Sequence, residues 1–227
     1  MIKFAQDILT NKPAYLESLN YLDNKYNNIF FKKLDKEKDE INILSLFCEM
    51  TFGYILNQLF NDVKYEQKIN GKTPDWLVNS NNQEILFEVK KINPKEDNLK
   101  EIIDSFKDDK YKPNIFSIQS NDFSSQYSKV IEKEVKYREL IKSENYILII
   151  CIDAVSLPNF ITNNDLKESF NFKKPDYSLK KHQKFCENVA GILGRAKFPQ
   201  NPLFIENISS KYGLNRQNLD IINGLNK

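Results

Sequence analysis

Thr73-Pro74-Asp75-Trp76-Leu77-Val78, the polar break Asn79-Ser80-Asn81-Asn82-Gln83, and then Glu84-Ile85-Leu86-Phe87-Glu88-Val89-Lys90-Lys91 form the most informative stretch of the chain. The break has the composition of a turn, and both flanks alternate apolar and polar residues. Residues 74–91 are therefore expected to fold as a β-hairpin. Successive side chains of a strand point to opposite faces. Leu86 then shares a face with Glu88 and Lys90, while Ile85, Phe87 and Val89 line the opposite, apolar face. Asp75 opens the partner strand, from which it can approach Glu88 from the side.

Two carboxylates and one lysine at one sheet edge suit the hydrolysis of a phosphodiester. Carboxylate oxygens hold hard divalent cations, such a cation activates water and neutralises phosphate charge, and a lysine stabilises the charge that develops. Pro74-Asp75 followed by Glu88-x-Lys90 on an apolar strand resembles the signature of the PD-(D/E)XK nuclease superfamily, the restriction-endonuclease-like fold. A plainer reading of the same residues stays open: Asp75 caps a turn after proline, and Glu88 and Lys90 belong to a solvated strand face.

The resemblance implies an α/β fold with a restriction-endonuclease-like core, a central mixed β-sheet flanked by helices, and extra N- and C-terminal helical segments. It implies catalysis by Asp75, Glu88 and Lys90, with Mg2+ (or Mn2+) held by Asp75 and Glu88. Many relatives add a glutamate from the helix before the sheet. Glu49, the one charged residue between Ile41 and Asn61, is placed for that role, since a solitary carboxylate in an uncharged helix calls for a reason; the alternative is a side chain in solvent. Some relatives also carry a glutamine or lysine and a tyrosine on the helix after the motif strand. Here Gln126, Lys129, Lys133 and Tyr137 recur on one side of a helix and are candidates for nucleic-acid binding. They fit equally a solvated amphipathic helix balanced by Glu132 and Glu134. The implied activity is a restriction- or phage-defence-type endonuclease on double-stranded DNA. A repair, recombination or RNA nuclease is the neighbouring reading, and a catalytically inactive nucleic-acid-binding module on the same fold is a third. Many restriction enzymes pair to cut both strands, so a homodimer is a further expectation, although no dimer motif is readable.

Along the chain, 3–23 and 25–34 read as helices interrupted near Pro13, and Lys32–Glu40 is a charge run. A long helix from Ile41 to Asn61 presents Ile41, Leu44, Cys48, Phe52, Ile55 and Leu59 as its core stripe. Residues 62–70 read as a first strand and Asn70-Gly71 as a hairpin turn; Glu66 could line the site or belong to a polar strand face. Helices are expected over 94–107, 124–142, around 164–170 and around 177–193, and strands over 146–153 and 203–208. Gly191-Ile192-Leu193-Gly194-Arg195 reads as a helix end with Gly194 in the left-handed conformation, and Arg195 could clamp a phosphate. The tail from Ser209 has weak periodicity and is expected to be loosely held. One domain is expected, with an N-terminal helical flank (1–40), a catalytic core (41–153) and a C-terminal extension (154–227).

Composition narrows the remaining classes. The 227 residues are 41% hydrophobic and 12% aromatic, enough for a real core and too apolar for a wholly disordered chain. With 33 basic and 31 acidic residues, the net charge of +2 neither demands nor forbids nucleic acid. The densest basic stretch is Lys173-Lys174 with Lys180-Lys181-His182-Gln183-Lys184, a weak phosphate-binding signal on what reads as an exposed helix face. A single histidine and three scattered cysteines (Cys48, Cys151, Cys186) speak against a zinc site and a disulfide framework. The expected setting is a reducing cytoplasm without membrane contact: there is no signal-peptide pattern, and the apolar run Tyr146–Val155 is too short to span a bilayer.

Overall fold

The computed structural model describes residues 1–91, 120–153, 180–195 and 202–226. The chain is α/β, built on a six-stranded mixed open sheet whose strands stand side by side in chain order. The strands are β1 (Asp62–Tyr65), β2 (Trp76–Ser80), β3 (Gln83–Lys91), β4 (Ile147–Asp153), β5 (Val189–Arg195) and β6 (Leu203–Glu206). β1, β2 and β3 form an antiparallel meander, β3–β4 and β4–β5 are parallel, and β5–β6 is antiparallel.

Four helices precede the sheet: α1 (Lys3–Asn11), α2 (Pro13–Lys25), α3 (Ile29–Lys36) and α4 (Glu40–Leu59). They bury one sheet face, carrying Trp76, Val78, Ile85, Phe87, Val89, Ile149, Cys151 and Leu193, in a core with Phe30, Phe47 and Phe52. The other face carries Leu77, Leu86, Leu148, Ile150, Ile152 and Ile192. It packs against α5 (Ser120–Glu144) and α6 (Lys180–Asn188), through residues such as Val130, Tyr137, Ile141 and Phe185. The alternation read from the motif strand thus separates the two cores: Leu86 lies in one, and Ile85, Phe87 and Val89 in the other.

Both hairpin turns follow from asparagine and glycine. Asn81 and Asn82 adopt φ of 47° and 62° between the paired residues Ser80 and Gln83. Asn70 (45°) and Gly71 (79°) do the same between Ile69 and Lys72, but these two form an isolated bridge, because the strand expected over 62–70 ends at Tyr65. Positive φ at both central residues matches the right-handed twist of the flanking strands.

α4 is capped by Asp39, whose Oδ1 accepts from the Asn42 amide at 2.9 Å. Its burial is broader than the expected stripe: Ile43, Leu46, Phe47 and Met50 are buried, while Ile41, Ile55 and Leu59 are half-buried. α4 lies under a sheet and within a helical layer, so more than one of its sides is covered.

The C-terminal part departs most from expectation. The helix expected around 177–193 ends at Asn188 where described, and Val189–Arg195 is a strand with every residue buried. A central parallel strand is covered on both faces and reads as a continuous apolar run, which periodicity does not distinguish from a short buried helix. Gly194 is accordingly not left-handed; among described glycines only Gly71 has positive φ. Gly191 is required by packing, because a Cβ there would lie 2.7 Å from the Ile205 carbonyl oxygen and the Phe204 ring. Arg195 is 2% exposed and ion-paired to Asp153, so it is no surface phosphate clamp. His182 is buried, with Nε2 3.8 Å from Cys186 Sγ, rather than on an exposed face.

The tail is anchored, contrary to expectation. α7 (Arg216–Asn223) is capped by Asn215. The fully buried Asn218 donates to the Ser80 carbonyl and Gln83 Oε1, each at 3.0 Å, and Asn215 donates to the Asn81 carbonyl at 2.8 Å. Amide side chains, not apolar periodicity, tie this segment to the tip of the β2–β3 hairpin. All three cysteines are buried free thiols, and no described helix is long and apolar enough to cross a membrane. The helices expected at 94–107 and 164–170 lie outside the described residues.

Candidate active site

The site is assembled where β2 ends and β3 runs on past it. Trp76 fixes that junction against α4. Its indole Nε1 donates to the Glu49 carbonyl at 3.0 Å, and its ring lies over Gly53, where a Cβ would come within 1.8 Å of Cζ2. Phe30, Tyr26 and Tyr65 pack around the same indole, with ring centroids 5.8, 5.7 and 4.7 Å away. One residue earlier, Asp75 leaves the strand pairing. Its Oδ2 accepts from the Val89 amide at 2.6 Å, which holds the carboxylate beside the peptide between Glu88 and Lys90.

Glu88 is 1% exposed and fully engaged by α5. Lys133 Nζ lies 2.6 Å from Oε1, Lys136 Nζ lies 3.2 and 3.3 Å from the two oxygens, and the Tyr137 hydroxyl donates to Oε2. Lys136 also donates to the Thr73 carbonyl at 2.9 Å, and the Tyr137 oxygen lies 3.0 Å from it. The Thr73-Pro74-Asp75 arm, Glu88 and α5 are therefore clasped together.

Glu49 is half-buried on α4 and does not point into open solvent. It accepts from the Tyr65 hydroxyl at 2.9 Å, which in turn accepts from Lys33 at 2.8 Å. Lys33 also pairs with Glu66 at 2.7 Å, at the rim of a polar cavity of about 400 Å3 that Glu49 borders.

The electrostatics bind these groups into one cluster. Burial, then the charges of Glu88 and Glu49, push the Asp75 carboxyl from 3.8 up to about 7. Burial likewise raises the Glu49 carboxyl, against the hydrogen bond from Tyr65. Lys90 is half-buried, and burial followed by the charges of Lys133 and Lys129 lowers its pKa. No partner holds its ammonium among the described residues. Burial, with Glu88 beside it, raises the Tyr137 phenol.

Asp75, Glu88 and Glu49 are thus within electrostatic reach across the β2–β3 junction, Lys133 and Tyr137 join them from α5, and Lys90 lies beside them in the field of Lys133 and Lys129. Lys129 is exposed and acts on Lys90 through its charge. The Gln126 side chain lies outside the described residues. Tyr137, expected on a nucleic-acid-facing surface, is instead fully buried. Lys136 and Tyr65 were not singled out by the sequence. Lys136 sits three residues after Lys133, on the same helical side, and that spacing was the available signal. Tyr65 is recognisable only once α4 and β1 are packed. Lys91 faces away, 4% exposed, towards Asp153 and Cys48.

Among the described residues, no three His, Cys, Asp or Glu side chains are gathered closely enough to cage a metal ion as they stand. The donor chemistry nonetheless fits a hard cation. Mg2+ is commonly held by one or two carboxylates, with water and substrate phosphate completing its shell. No family model, curated protein or solved structure matches the chain.

Proposed function

We propose that this chain is a divalent-cation-dependent nuclease hydrolysing DNA phosphodiester bonds, of restriction or phage-defence type, on a restriction-endonuclease-like core. The observation that carries the reading is the Asp75 carboxylate seated on the Val89 amide between Glu88 and Lys90, with its pKa raised by burial and then by Glu88 and Glu49. Asp75 and Glu88 would hold Mg2+ (or Mn2+), with Glu49 contributing negative charge from α4. The cation would supply an activated water and charge neutralisation at the phosphate. Lys90, which has no competing partner among the described residues, is free to orient the attacking water or to offset charge developing on the phosphate. The exposed Lys129 supplies positive charge at the rim, where a backbone phosphate is attracted without sequence selectivity.

The clamp of Lys133, Lys136 and Tyr137 on Glu88 supports a second reading, in which Glu88 anchors α5 and the fold is a catalytically inactive nucleic-acid-binding module. Incubation of purified protein with supercoiled plasmid and Mg2+ separates the two. Cleavage that is lost in EDTA and in Lys90→Ala supports the nuclease. Binding without cleavage, in Mg2+ and in Mn2+, supports the module; cleavage of RNA alone moves the substrate and leaves the site intact.

A further inference from the structure

We propose that Lys133 and Lys136 are a displaceable counter-charge: they neutralise Glu88 while no cation is bound, and give it up to the cation in order to hold nucleic-acid phosphate. This rests on the nuclease reading above. Glu88 is 1% exposed, and a carboxylate so buried requires a partner of opposite charge. The two lysines supply that partner from stems that remain 30% and 39% exposed. Lysine is a compact charge on a flexible four-carbon chain, so either ammonium can leave Glu88 by side-chain rotation, without moving α5. Tyr137 is different in kind. It is 0% exposed and its ring is packed in the core, so its hydroxyl stays on Oε2 and keeps the carboxylate oriented as the lysines leave.

Charge dictates where the lysines go. Lys90 already lies in the fields of Lys133 and Lys129. A dication on Asp75 and Glu88 would face four nearby ammonium groups, those of Lys90, Lys129, Lys133 and Lys136. Lys133 and Lys136 would lose their carboxylate partner, and the polyanion that balances them is the phosphate backbone. Cation and nucleic acid therefore bind with positive coupling, and each must be weaker alone than with the other.

The test measures Mn2+ binding by calorimetry on the whole chain without nucleic acid, and duplex DNA binding in Ca2+. Lys133→Gln retains a hydrogen-bond donor but removes the competing charge. It should bind Mn2+ about tenfold more tightly than the unmodified protein and bind duplex about tenfold more weakly, the scale of one close charge pair. Lys133→Arg, which keeps the charge and grips carboxylates more firmly, should bind Mn2+ more weakly; it also serves if Lys133→Gln fails to fold. If Mn2+ binds the unmodified protein and neither variant changes its affinity in these directions, the displacement is wrong while the cation site stands. If Mn2+ binds none of the proteins, this inference and the nuclease reading fall together.

Discussion

At the scale of single residues, Asp75 is the most exposed to test. Its folded-state carboxyl is raised from 3.8 to about 7. The folded form therefore binds more protons than the unfolded chain between those values. The stability Asp75 contributes is complete below about pH 4 and is lost as pH rises through 7. In EDTA, chemical denaturation should show the protein losing stability from pH 5 to pH 8. Asp75→Asn, which keeps an oxygen for the Val89 amide, should flatten that slope and be the more stable protein at pH 8. An unchanged slope would show that Asp75 is not held in this field. Lys90→Ala is expected to behave oppositely. It removes a half-buried ammonium that no described partner engages, so its melting temperature should stay within a few degrees while Mg2+-dependent cleavage falls by at least about 100-fold, the scale of losing one transition-state charge partner. Asp75→Ala should lower cation affinity as well as turnover, and titration with Mn2+ reads that difference.

At the scale of elements, the site depends on how β2 meets α4, and Gly53 is the contact that permits it. Alanine normally stabilises a helix interior by about 1 kcal/mol relative to glycine. Here its Cβ would fall 1.8 Å from Trp76 Cζ2, and overpacking of a core costs roughly 1–3 kcal/mol. The clash decides the sign. Gly53→Ala should be destabilising in denaturant titrations. Because the displaced indole also bonds the Glu49 carbonyl, cleavage should fall further than unfolding explains when both are measured well below the melting temperature. A stabilised variant would mean that Trp76 does not lie on α4 as described. The same scale shows where local pattern serves and where it fails. The β2–β3 hairpin was legible because its turn chemistry and period-two alternation are local. β5 was not, because Val189-Ala190-Gly191-Ile192-Leu193 is apolar on both sides and takes its conformation from β4 and β6.

At the scale of the whole molecule, residues more than 130 positions apart close the structure. Asn215 and Asn218 bond Asn81, Ser80 and Gln83 at the hairpin tip. Truncation after Tyr212 removes these bonds, and amide hydrogen exchange should then accelerate across 76–91 while β4 stays protected. Equal protection in the truncated chain would show that the tail does not hold the hairpin. What the sequence determined by itself was the short-range part: the two asparagine turns, the face shared by Glu88 and Lys90, the approach of Asp75, and the mixed α/β order from α4 to β4. These follow from backbone preferences and strand alternation, which act over a few residues. Only the tertiary structure decided that Lys136 joins Lys133 and Tyr137 on Glu88, that Tyr65 and Lys33 meet Glu49, that Arg195 is buried against Asp153, and that the tail is pinned. Each is a pairing of polar groups distant in the chain; helical spacing sets Lys136 beside Lys133 but does not name the partner they share, because what selects such partners is burial, where a charge or amide left without one costs more than the ordering of the chain that brings it.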